Sequence, residues 1–410
     1  MILHLISPRN SGLPFGDWLP EASGELVAVA AEGTHVGDGF AHVVTVDDYT
    51  DDAAVLAAAR RLATARPPRA VLALAEVDVE RAAVLRAEWG LPGMAPEHAE
   101  AYRDKVLMKR YARKAGLRVP DFAEANQVAD VTAFLREHPG RKAVVKPRGG
   151  SGSTGVRVLD GPAPPDGLEA ALRALPHEVE EFVEGDLYHV DALMVDGRPV
   201  AAVPSRYTGD GCLSHWTDSS LGSCTLDRDD PLAARLETAA WDLVASLPSP
   251  PSLFVHAEFF VTPGRDIVLC EVAARVGGGP IPEMLRHVLG EDPRALWSRV
   301  QAGLPVDLDA IRARTRTAPS VAFGGLPPRD ARVVRVPREP DGVHDFRLAT
   351  RVGDDWRGRR YRNRKSGDFL ATWVVTGTDT AATTARLAET AEQIARGFAF
   401  EPAGEAVRRA

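Results

Sequence analysis

A glycine-rich turn between two apolar segments most strongly limits the folds that this chain can adopt. Ala143–Pro147 and Val156–Leu159 are predicted strands. The turn between them contains the pattern G-x-G-x-x-G at Gly150, Gly152 and Gly155. A dinucleotide-binding fold requires a helix after these glycines, and a P-loop requires lysine and then serine or threonine after the last one. The sequence has neither, so we expect a strand–loop–strand unit. It either closes over phosphate groups or is an ordinary β-hairpin with a loose turn.

A lysine marks the end of the first of these strands. A protein kinase would place its phosphate-binding lysine after the glycine loop, whereas Lys146 comes before it. An ammonium group at this position would offset the charge of phosphates held by the loop. The residues expected to contact a nucleotide here are then Lys146, Gly150, Ser151, Gly152, Ser153 and Thr154.

Two glutamates are predicted to face each other on a second hairpin, formed by Phe254–Phe260 and Ile267–Val272. If the turn is Pro263–Asp266, Glu258 and Glu271 are directly opposed, with about 5 Å between their Cβ atoms. Two carboxylates at that distance repel unless a cation or a shared proton lies between them. Hard oxygen ligands of this kind favour Mg²⁺. The alternative is a solvated sheet face, and the strongly apolar flanking residues favour the metal site.

The alternation of side chains along the second strand adds an arginine to this face. Successive residues of a strand point to opposite sides, so Glu271, Ala273 and Arg275 share one side. Arg275 is therefore expected beside the metal, where its planar guanidinium group could pair with a phosphate or a carboxylate.

The order of the predicted elements indicates an α/β domain followed by α+β units. Residues 1–95 alternate strands with helices, which is typical of a small parallel sheet. The predicted strands are Ile2–Ile6, Leu26–Ala30, His42–Val46 and Ala70–Leu74, and the helices are Asp51–Thr64 and Val79–Trp89. One helix is predicted from Pro96 to about Ala115.

Residues 96–305 have the character of a second unit, rich in hairpins and glycine loops. Val190–Val195 and Val200–Pro204 are predicted to form a hairpin, and Leu232–Leu247 a helix. Thr208–Asp230 has little periodicity, so we expect a lid or a substrate loop there. Residues 306–410 are expected to form a carboxyl-terminal α+β unit that ends in the helix Thr380–Gly397.

Taken in order, these motifs resemble the ATP-grasp superfamily, and specifically its carboxylate–amine and L-amino-acid ligase branch. The resemblance runs from about Leu91 to Leu304 and includes the segments Arg103–Lys109 and Ala115–Pro120. It implies an ATP-grasp fold with a small lobe at about 117–183 and a large lobe at about 184–305. A preceding α/β domain is usual in the superfamily.

The resemblance also assigns roles to individual residues. Lys105 and Lys146 take the places of the two lysines that contact ATP phosphates. The acidic segment Glu178–Gly185, which alone could be a solvated strand, resembles the strand that binds adenine. Its contacts would come from Glu180, Glu181 and Val183, while Glu258 and Glu271 match the paired Mg²⁺ ligands and Arg275 the arginine at the transferred phosphate.

Two positions depart from the family pattern. Many members have an acidic ribose ligand where this chain has Leu187, so Asp186 or Glu184 would have to substitute. Many also have asparagine at the position of Ala273, which leaves metal coordination to the two glutamates, phosphates and water.

The resemblance implies an ADP-forming carbon–nitrogen ligase that uses ATP and Mg²⁺, with Mn²⁺ as a possible substitute. ATP would phosphorylate a carboxylate, and an amine would attack the acyl phosphate. We expect the small-molecule acid and amine near Arg206, His215, Trp216 and Arg275. The alternatives are an ATP-grasp carboxylase that activates bicarbonate and a nucleotide-binding protein without catalysis.

Composition limits the partners and the location. The net charge of −8 argues against a general nucleic-acid binder, although Arg357–Lys365 is strongly basic. That run is interpreted as a solvated loop or a docking site for an acidic partner such as a carrier protein. The sequence lacks an apolar run of about 20 residues that could span a membrane. Three cysteines without metal spacing indicate a reducing cytoplasm, and ligases of this type often form homodimers.

Overall fold

A four-stranded parallel sheet forms the amino-terminal part of the protein. The computed structural model describes residues 1–161, 166–209, 220–357 and 368–402. The sheet has the strand order β3-β2-β1-β4 and comprises β1 Ile2–Ile6, β2 Leu26–Ala31, β3 Phe40–Val46 and β4 Ala70–Ala73. The accompanying helices are α1 Phe15–Trp18, α2 Asp52–Ala65 and α3 Glu76–Trp89, with 3-10 turns at Pro8–Asn10 and Pro20–Ala22. All residues of β1, β2 and β4 are buried, which explains their continuous apolar sequence.

The segment predicted as one helix from Pro96 to Ala115 is two helices, α4 Pro96–Arg103 and α5 Lys105–Lys114. The break falls at Asp104, whose backbone is extended. Its carboxylate accepts hydrogen bonds from the backbone N–H groups of Val106 and Leu107, at 2.9 and 3.1 Å. This cap satisfies two of the free backbone N–H groups at the start of α5. Lys105 is therefore in the first turn of that helix.

A small antiparallel sheet with the strand order β5-β8-β6-β7 follows. Its elements are β5 Phe122–Ala125, α6 Val128–Glu137, β6 Ala143–Pro147, β7 Arg157–Leu159, α7 Leu168–Ala174 and β8 His177–Glu181. The predicted glycine hairpin is confirmed, because Ala143 pairs with Leu159 across the antiparallel strands β6 and β7. The acidic segment is β8, which lies beside β6 and pairs Glu178 with Lys146.

An eight-stranded sheet with the order β13-β12-β9-β10-β11-β14-β17-β16 forms the largest layer. Its strands are β9 Asp186–Val195, β10 Arg198–Thr208, β11 Leu221–Thr225, β12 Leu253–Val261, β13 Ile267–Ala273, β14 Ser320–Leu326, β16 His344–Leu348 and β17 Ala371–Gly377. The helices around it are α8 Pro231–Ser246, α9 Ile281–Leu289, α10 Pro293–Gln301, α11 Leu308–Thr317 and α12 Thr380–Gly397. Two further strands, β15 Ala331–Arg335 and β18 Ala399–Pro402, pair with each other. Because β11 pairs with β14, the sheet runs without interruption into the carboxyl-terminal residues.

The segment Thr208–Asp230, predicted as a loop, contains the strand β11. All five residues of this strand are buried, and it pairs with β10 on one side and β14 on the other. A Cβ atom on Gly222 would lie 2.6 Å from Thr208 Oγ1 and 2.9 Å from a methyl group of Leu387. The glycine therefore reflects close packing rather than flexibility. Residues 210–219 of the segment lie outside the described part of the chain.

The hairpin β12–β13 confirms that Glu258 and Glu271 are directly opposed. The route to this pairing differs from the prediction. Val261 pairs with Ile267, so the turn is one residue longer than expected. A β-bulge at Cys270 then shifts the register by one residue and restores the opposition of the glutamates.

Apolar side chains fill both sides of the large sheet. One cluster joins its β9, β10 and β14 strands to α9–α11, and another packs α8 and α4 against β9, β12 and β13. Within the described ranges, every helix is too short or too polar to cross a lipid bilayer.

Candidate nucleotide and metal site

A cavity of about 590 Å³ lies between the small sheet and the large sheet. It brings together most of the side chains that the sequence singles out. These are Lys105, Lys146, Gly150, Ser151, Ser153, Thr154, Glu180, Glu181, Val183, Asp186, Arg206, Glu258 and Glu271. Gly152 and Arg275 are not part of the lining. His215 and Trp216 fall in 210–219, outside the described residues.

The opposed glutamates each have a cationic neighbour. Lys105 Nζ lies 3.1 Å from a carboxylate oxygen of Glu271. Burial alone would raise the pKa of Glu271, but Lys105 and Lys146 outweigh it and lower that pKa to about 2. Glu258 lies 3.2 Å from His256 Nε2 and accepts a hydrogen bond of 2.9 Å from the Tyr207 hydroxyl. Both glutamates line the cavity as oxygen donors.

This donor set fits a hard divalent cation. Mg²⁺ is usually held by one or two carboxylates together with phosphates and water. Two opposed carboxylates that line one cavity, close to two lysine ammonium groups, match that requirement. The same carboxylates would repel each other in isolation, and the neighbouring cations account for their stability without a metal.

A second buried cluster holds Lys146. Its ammonium group lies 2.6 Å from Glu180 Oε1 and 3.7 Å from Glu178 Oε1. Burial would lower the pKa of Lys146, but the surrounding negative charges, led by Glu180, raise it well above its ordinary value. Lys146 is therefore a charged ammonium group at the cavity wall, as a phosphate ligand must be.

Lys109 completes this cluster from behind. Its side chain is fully buried, and Nζ lies 2.5 Å from Glu178 Oε1 and 2.6 Å from Glu180 Oε2. Two lysines thus balance two buried glutamates. Sequence reasoning did not single out Lys109, although its position four residues after Lys105 places both on one face of α5.

The glycine loop is anchored to the helices before it. Lys105 Nζ donates to the carbonyl oxygen of Gly150 at 2.8 Å, and Arg103 donates to that of Gly149 at 2.6 Å. Gly155 has a φ angle of +76°, and a Cβ atom there would lie 2.9 Å from Pro147 Cγ. The loop therefore requires glycine at its end for both conformation and space.

Arg275 contacts the start of α3 and is not part of the cavity lining. Its guanidinium group pairs with Glu76, and it also donates to the carbonyl oxygen of Val276 at 2.8 Å. Glu76 pairs with Arg103 as well, at 2.7 Å. Burial would raise the pKa of Glu76, but the two arginines outweigh it and lower that pKa. Glu76 therefore connects Arg275, through Arg103, to the glycine loop.

One part of the cavity wall is apolar, which sequence reasoning did not anticipate. Phe182, Leu187 and Phe260 belong to this apolar part of the lining. Leu187 is the position where the family resemblance implies an acidic group. The wall comprises Val144, Val156, Val158, Phe182, Leu187 and Phe260. Next to it, Arg206 pairs with Asp186 at 2.9 Å.

The carboxyl-terminal residues also contribute to the cavity. Thr380 and Thr384 of α12 line it together with Cys224 of β11. This helix packs against β11, β14 and β17, so the carboxyl-terminal part of the chain supplies part of the cavity wall.

A buried network of hydrogen bonds contacts Glu258, one of the two opposed glutamates. His189 and His256 contact Asp191 through their Nδ1 atoms at 2.7 and 3.0 Å. Burial would raise the pKa of Asp191, but the two histidines lower it well below its ordinary value. Burial would lower the pKa of His256, but Asp191 and Glu258 raise it to about 10. None of these three residues was identified from the sequence.

Comparison with curated proteins finds similar sequences that align with part of the chain. No protein-family model matches the chain. An L-arginine-specific L-amino acid ligase of Bacillus subtilis is 26% identical over 254 residues, which cover 60% of each protein. An uncharacterized protein of Sinorhizobium fredii is 27% identical over 286 residues, covering 65% of this chain and 55% of that protein. The chain thus spans about 60% or less of the length of these curated relatives.

Solved structures resemble the whole chain. An L-amino acid ligase from Bacillus licheniformis has a TM-score of 0.75 at 17% identity and covers 98% of this chain and 99% of its own. An N5-carboxyaminoimidazole synthase from Aspergillus clavatus, bound to ADP, has a TM-score of 0.67 at 14% identity, with 96% and 98% covered. A biotin carboxylase from Campylobacter jejuni has a TM-score of 0.67 at 13% identity, with 98% and 92% covered. These likenesses confirm the fold class predicted from the sequence.

Proposed function

We propose that this chain, which has the ATP-grasp fold, is an ADP-forming ligase that joins a carboxylic acid to an amine. One observation carries the proposal. Glu258 and Glu271 are directly opposed in a cavity that also contains the ammonium groups of Lys105 and Lys146. Such a site neutralises the charge of a triphosphate and positions it, and phosphoryl transfer needs little more from a protein.

The residues that line the cavity are suited to binding a nucleotide. The apolar residues Val144, Leu187 and Phe260 would enclose the adenine, with backbone contacts from Glu181 and Val183. Asp186 would contact the ribose in place of the missing acidic residue at Leu187. These assignments rest on the family resemblance and are supported by the position of every named residue in the cavity lining.

The phosphates are assigned to the part of the same cavity that the lysines and the glycine loop line. Lys105 and Lys146 would pair with phosphate oxygens, and the glycine loop would cover them with Gly150, Ser151, Ser153 and Thr154. Mg²⁺, or Mn²⁺ in its place, would be held by Glu258 and Glu271 and would reduce the negative charge of the phosphates.

The reaction would proceed in two balanced steps. A substrate carboxylate oxygen attacks the γ-phosphorus atom, the bond to the bridging oxygen breaks, and ADP leaves. The amine then attacks the acyl carbon of the acyl phosphate, inorganic phosphate leaves, and the amine nitrogen loses a proton. By the family resemblance, Arg275 is assigned to the transferred phosphoryl group although it lies outside the cavity lining, and Glu76 of α3 would orient it. The glycine loop would exclude water from the acyl phosphate.

An amino acid is the proposed acid substrate, because the L-arginine-specific ligase is similar to this chain. Arg206, which lines the cavity, is proposed to contact a substrate carboxylate. His215 and Trp216 are proposed as further substrate contacts. We further propose a reducing cytoplasm, which is consistent with free thiols at Cys224 and Cys270 in the cavity wall. The proposal of a homodimer rests on the family resemblance alone. A carrier-bound substrate remains an alternative form of the acid.

A second candidate is a carboxylase that activates bicarbonate. The structural likeness to a biotin carboxylase and to an N5-carboxyaminoimidazole synthase favours it at the level of fold. The two candidates differ in the source of the substrate oxygen atoms that are transferred to inorganic phosphate. In the ligase they come from the amino acid, and in the carboxylase they come from bicarbonate.

An isotope experiment tests the proposal. The protein is incubated with ATP, Mg²⁺ and a panel of amino acids labelled with ¹⁸O in the carboxylate, and the phosphate is analysed by mass spectrometry. We expect ADP, a dipeptide or amide, and one ¹⁸O atom in the released phosphate. Glu271→Gln should reduce ADP release by at least about 100-fold because it removes a charged metal ligand. The matched control Glu88→Gln changes an exposed glutamate of α3 and should leave it unchanged. Unlabelled phosphate, with ADP release that depends on bicarbonate, would contradict the ligase.

A further inference from the structure

Glu258, one of the two proposed metal ligands, lies at the end of a buried chain of hydrogen bonds. Cross-strand register creates this chain, because β9 and β12 pair His256 with Asp191 and Glu258 with His189. Residues two apart on a strand share a face, so all four side chains project from the same side of the sheet. Tyr207 and Ser223 are paired on the neighbouring strands β10 and β11.

Each contact in the chain is defined at the level of atoms. The two carboxylate oxygens of fully buried Asp191 are taken by different rings, Oδ2 by His189 Nδ1 and Oδ1 by His256 Nδ1. The other nitrogen of His189 contacts the Ser223 hydroxyl at 2.7 Å. The network is therefore closed at one end and reaches the cavity at the other.

The distances within this cluster would also suit a metal ion. The hydrogen bonds argue against that use. Both Nδ1 atoms already have a carboxylate oxygen at 3.0 Å or less, and Nε2 of each ring has a second polar neighbour. The cluster is better described as a support for the ring of His256.

We propose that His256 is a positioning residue, which orients the carboxylate of Glu258 for metal binding. Within the described residues, Glu258 Oε1 contacts His256 Nε2 at 3.2 Å and accepts a hydrogen bond from the Tyr207 hydroxyl at 2.9 Å. Two fixed contacts on one oxygen define the rotation of the carboxylate, and Asp191 fixes the ring that makes one of them. The inference rests on the proposed function only in taking Glu258 to be a metal ligand.

Direct metal binding tests this role without reference to turnover. Mn²⁺ is titrated into the full-length protein in the presence of ADP, and free Mn²⁺ is measured by electron paramagnetic resonance. His256→Leu removes the ring nitrogens and should weaken Mn²⁺ binding by about 10- to 100-fold, as loss of an outer-shell partner typically does. His256→Gln retains an amide N–H and should recover most of that affinity. ADP binding in EDTA should be equal in all three proteins.

His287→Leu is the matched control. His287 also has a carboxylate partner, Asp345 at 2.8 Å, but neither residue lines the cavity. It should bind Mn²⁺ with wild-type affinity. Wild-type Mn²⁺ affinity in His256→Leu would overturn the inference. So would an equal loss in His256→Leu and His256→Gln together with weaker ADP binding in EDTA, because that pattern indicates general damage to the fold.

The inference and the proposed function can fail separately. If no acid and amine pair gives product while the Mn²⁺ affinities follow the expected order, the ligase proposal fails and the positioning role stands. If the wild-type protein does not bind Mn²⁺ in the presence of ADP, the positioning role fails, because Glu258 is then not a metal ligand.

Discussion

Lys105 and Glu271 form an ion pair of 3.1 Å between the first turn of α5 and the β13 strand. The same ammonium group donates to the carbonyl oxygen of Gly150. One lysine therefore contacts both the glycine loop and one of the two opposed glutamates. A triphosphate that enters the cavity would meet a site in which Lys105 already links the glycine loop to one of the proposed metal ligands.

Lys105→Met should therefore weaken nucleotide binding more than loss of one phosphate contact would. We expect the KM for ATP to rise by at least about 10-fold, since a charge-assisted hydrogen bond is worth about 1.5–3 kcal/mol. Steady-state ADP release gives this value. Lys114→Met alters an exposed lysine in the last turn of the same helix and serves as control. An unchanged KM in Lys105→Met would show that the lysine does not contact the nucleotide.

Lys109→Met should destabilise the protein strongly. Among the described residues, it leaves Lys146 as the one lysine paired with buried Glu178 and Glu180. Removal of one partner from a buried pair costs about 3–5 kcal/mol. The thermal unfolding midpoint measures this loss. Glu178→Gln in the same protein removes the excess negative charge, so the double variant should recover part of the midpoint. A double variant less stable than Lys109→Met would contradict the charge balance described for this cluster.

Glu76→Gln should reduce turnover while preserving nucleotide affinity. The variant weakens the contacts that hold Arg275 and Arg103, but Glu76 does not line the cavity. We expect kcat to fall by about 10-fold or more, which corresponds to about 1.4 kcal/mol of lost transition-state stabilisation. The Arg60–Glu88 pair is exposed, and Glu88→Gln provides the control. A rise in the KM for ATP with unchanged kcat would assign Glu76 to nucleotide binding instead.

His4 should make stability depend on pH. Its ring is fully buried against Phe15, with a centroid separation of 4.1 Å, and burial lowers its pKa from 6.5 to about 3. Between these values the unfolded chain binds a proton that the folded protein does not. Stability therefore rises with pH in this window and is lost as pH falls below 6.5.

The contribution of His4 is measured as the slope of the free energy of unfolding against pH. One proton corresponds to about 1.4 kcal/mol per pH unit. His4→Leu keeps the apolar contact and removes the titrating ring, so its unfolding midpoint should fall less than that of the wild type between pH 7 and pH 5. His42→Leu, at an exposed position of β3, is the control. Equal slopes in the wild type and His4→Leu would exclude His4 as the source.

The features predicted correctly from the sequence are those that depend on neighbours along the chain. The β6–β7 hairpin follows from the strand pattern and its turn. The opposition of Glu258 and Glu271 was also predicted, although a bulge at Cys270 offsets a turn that is one residue longer than expected. Contacts between distant segments could not be inferred in this way. The pairing of Lys109 with Glu178 joins residues 69 positions apart, and no local pattern specifies it.

Some of the differences between the predicted and the observed structure could have been inferred from the sequence, and others could not. The break between α4 and α5 has one, since aspartate before a helical segment is a common cap and Asp104 precedes Lys105. The β11 strand has none, because Leu-Gly-Ser-Cys-Thr has weak strand propensity and is held by its two neighbours. Arg275 was expected beside the metal from strand alternation, but β13 ends at Ala273 and the chain then turns toward Glu76.

The bulge at Cys270 is one extra residue in β13, and it determines how the hairpin responds to a change in chain length. In a regular ladder the observed turn would pair Glu258 with residue 270. Deleting Cys270 would therefore remove the bulge and still leave Glu271 opposite Glu258. Inserting one residue between Ile267 and Glu271 would instead require a second bulge or move Glu271 to the opposite face of the sheet. Related chains could therefore lose one residue of this strand and present the same two oxygen donors to the cavity.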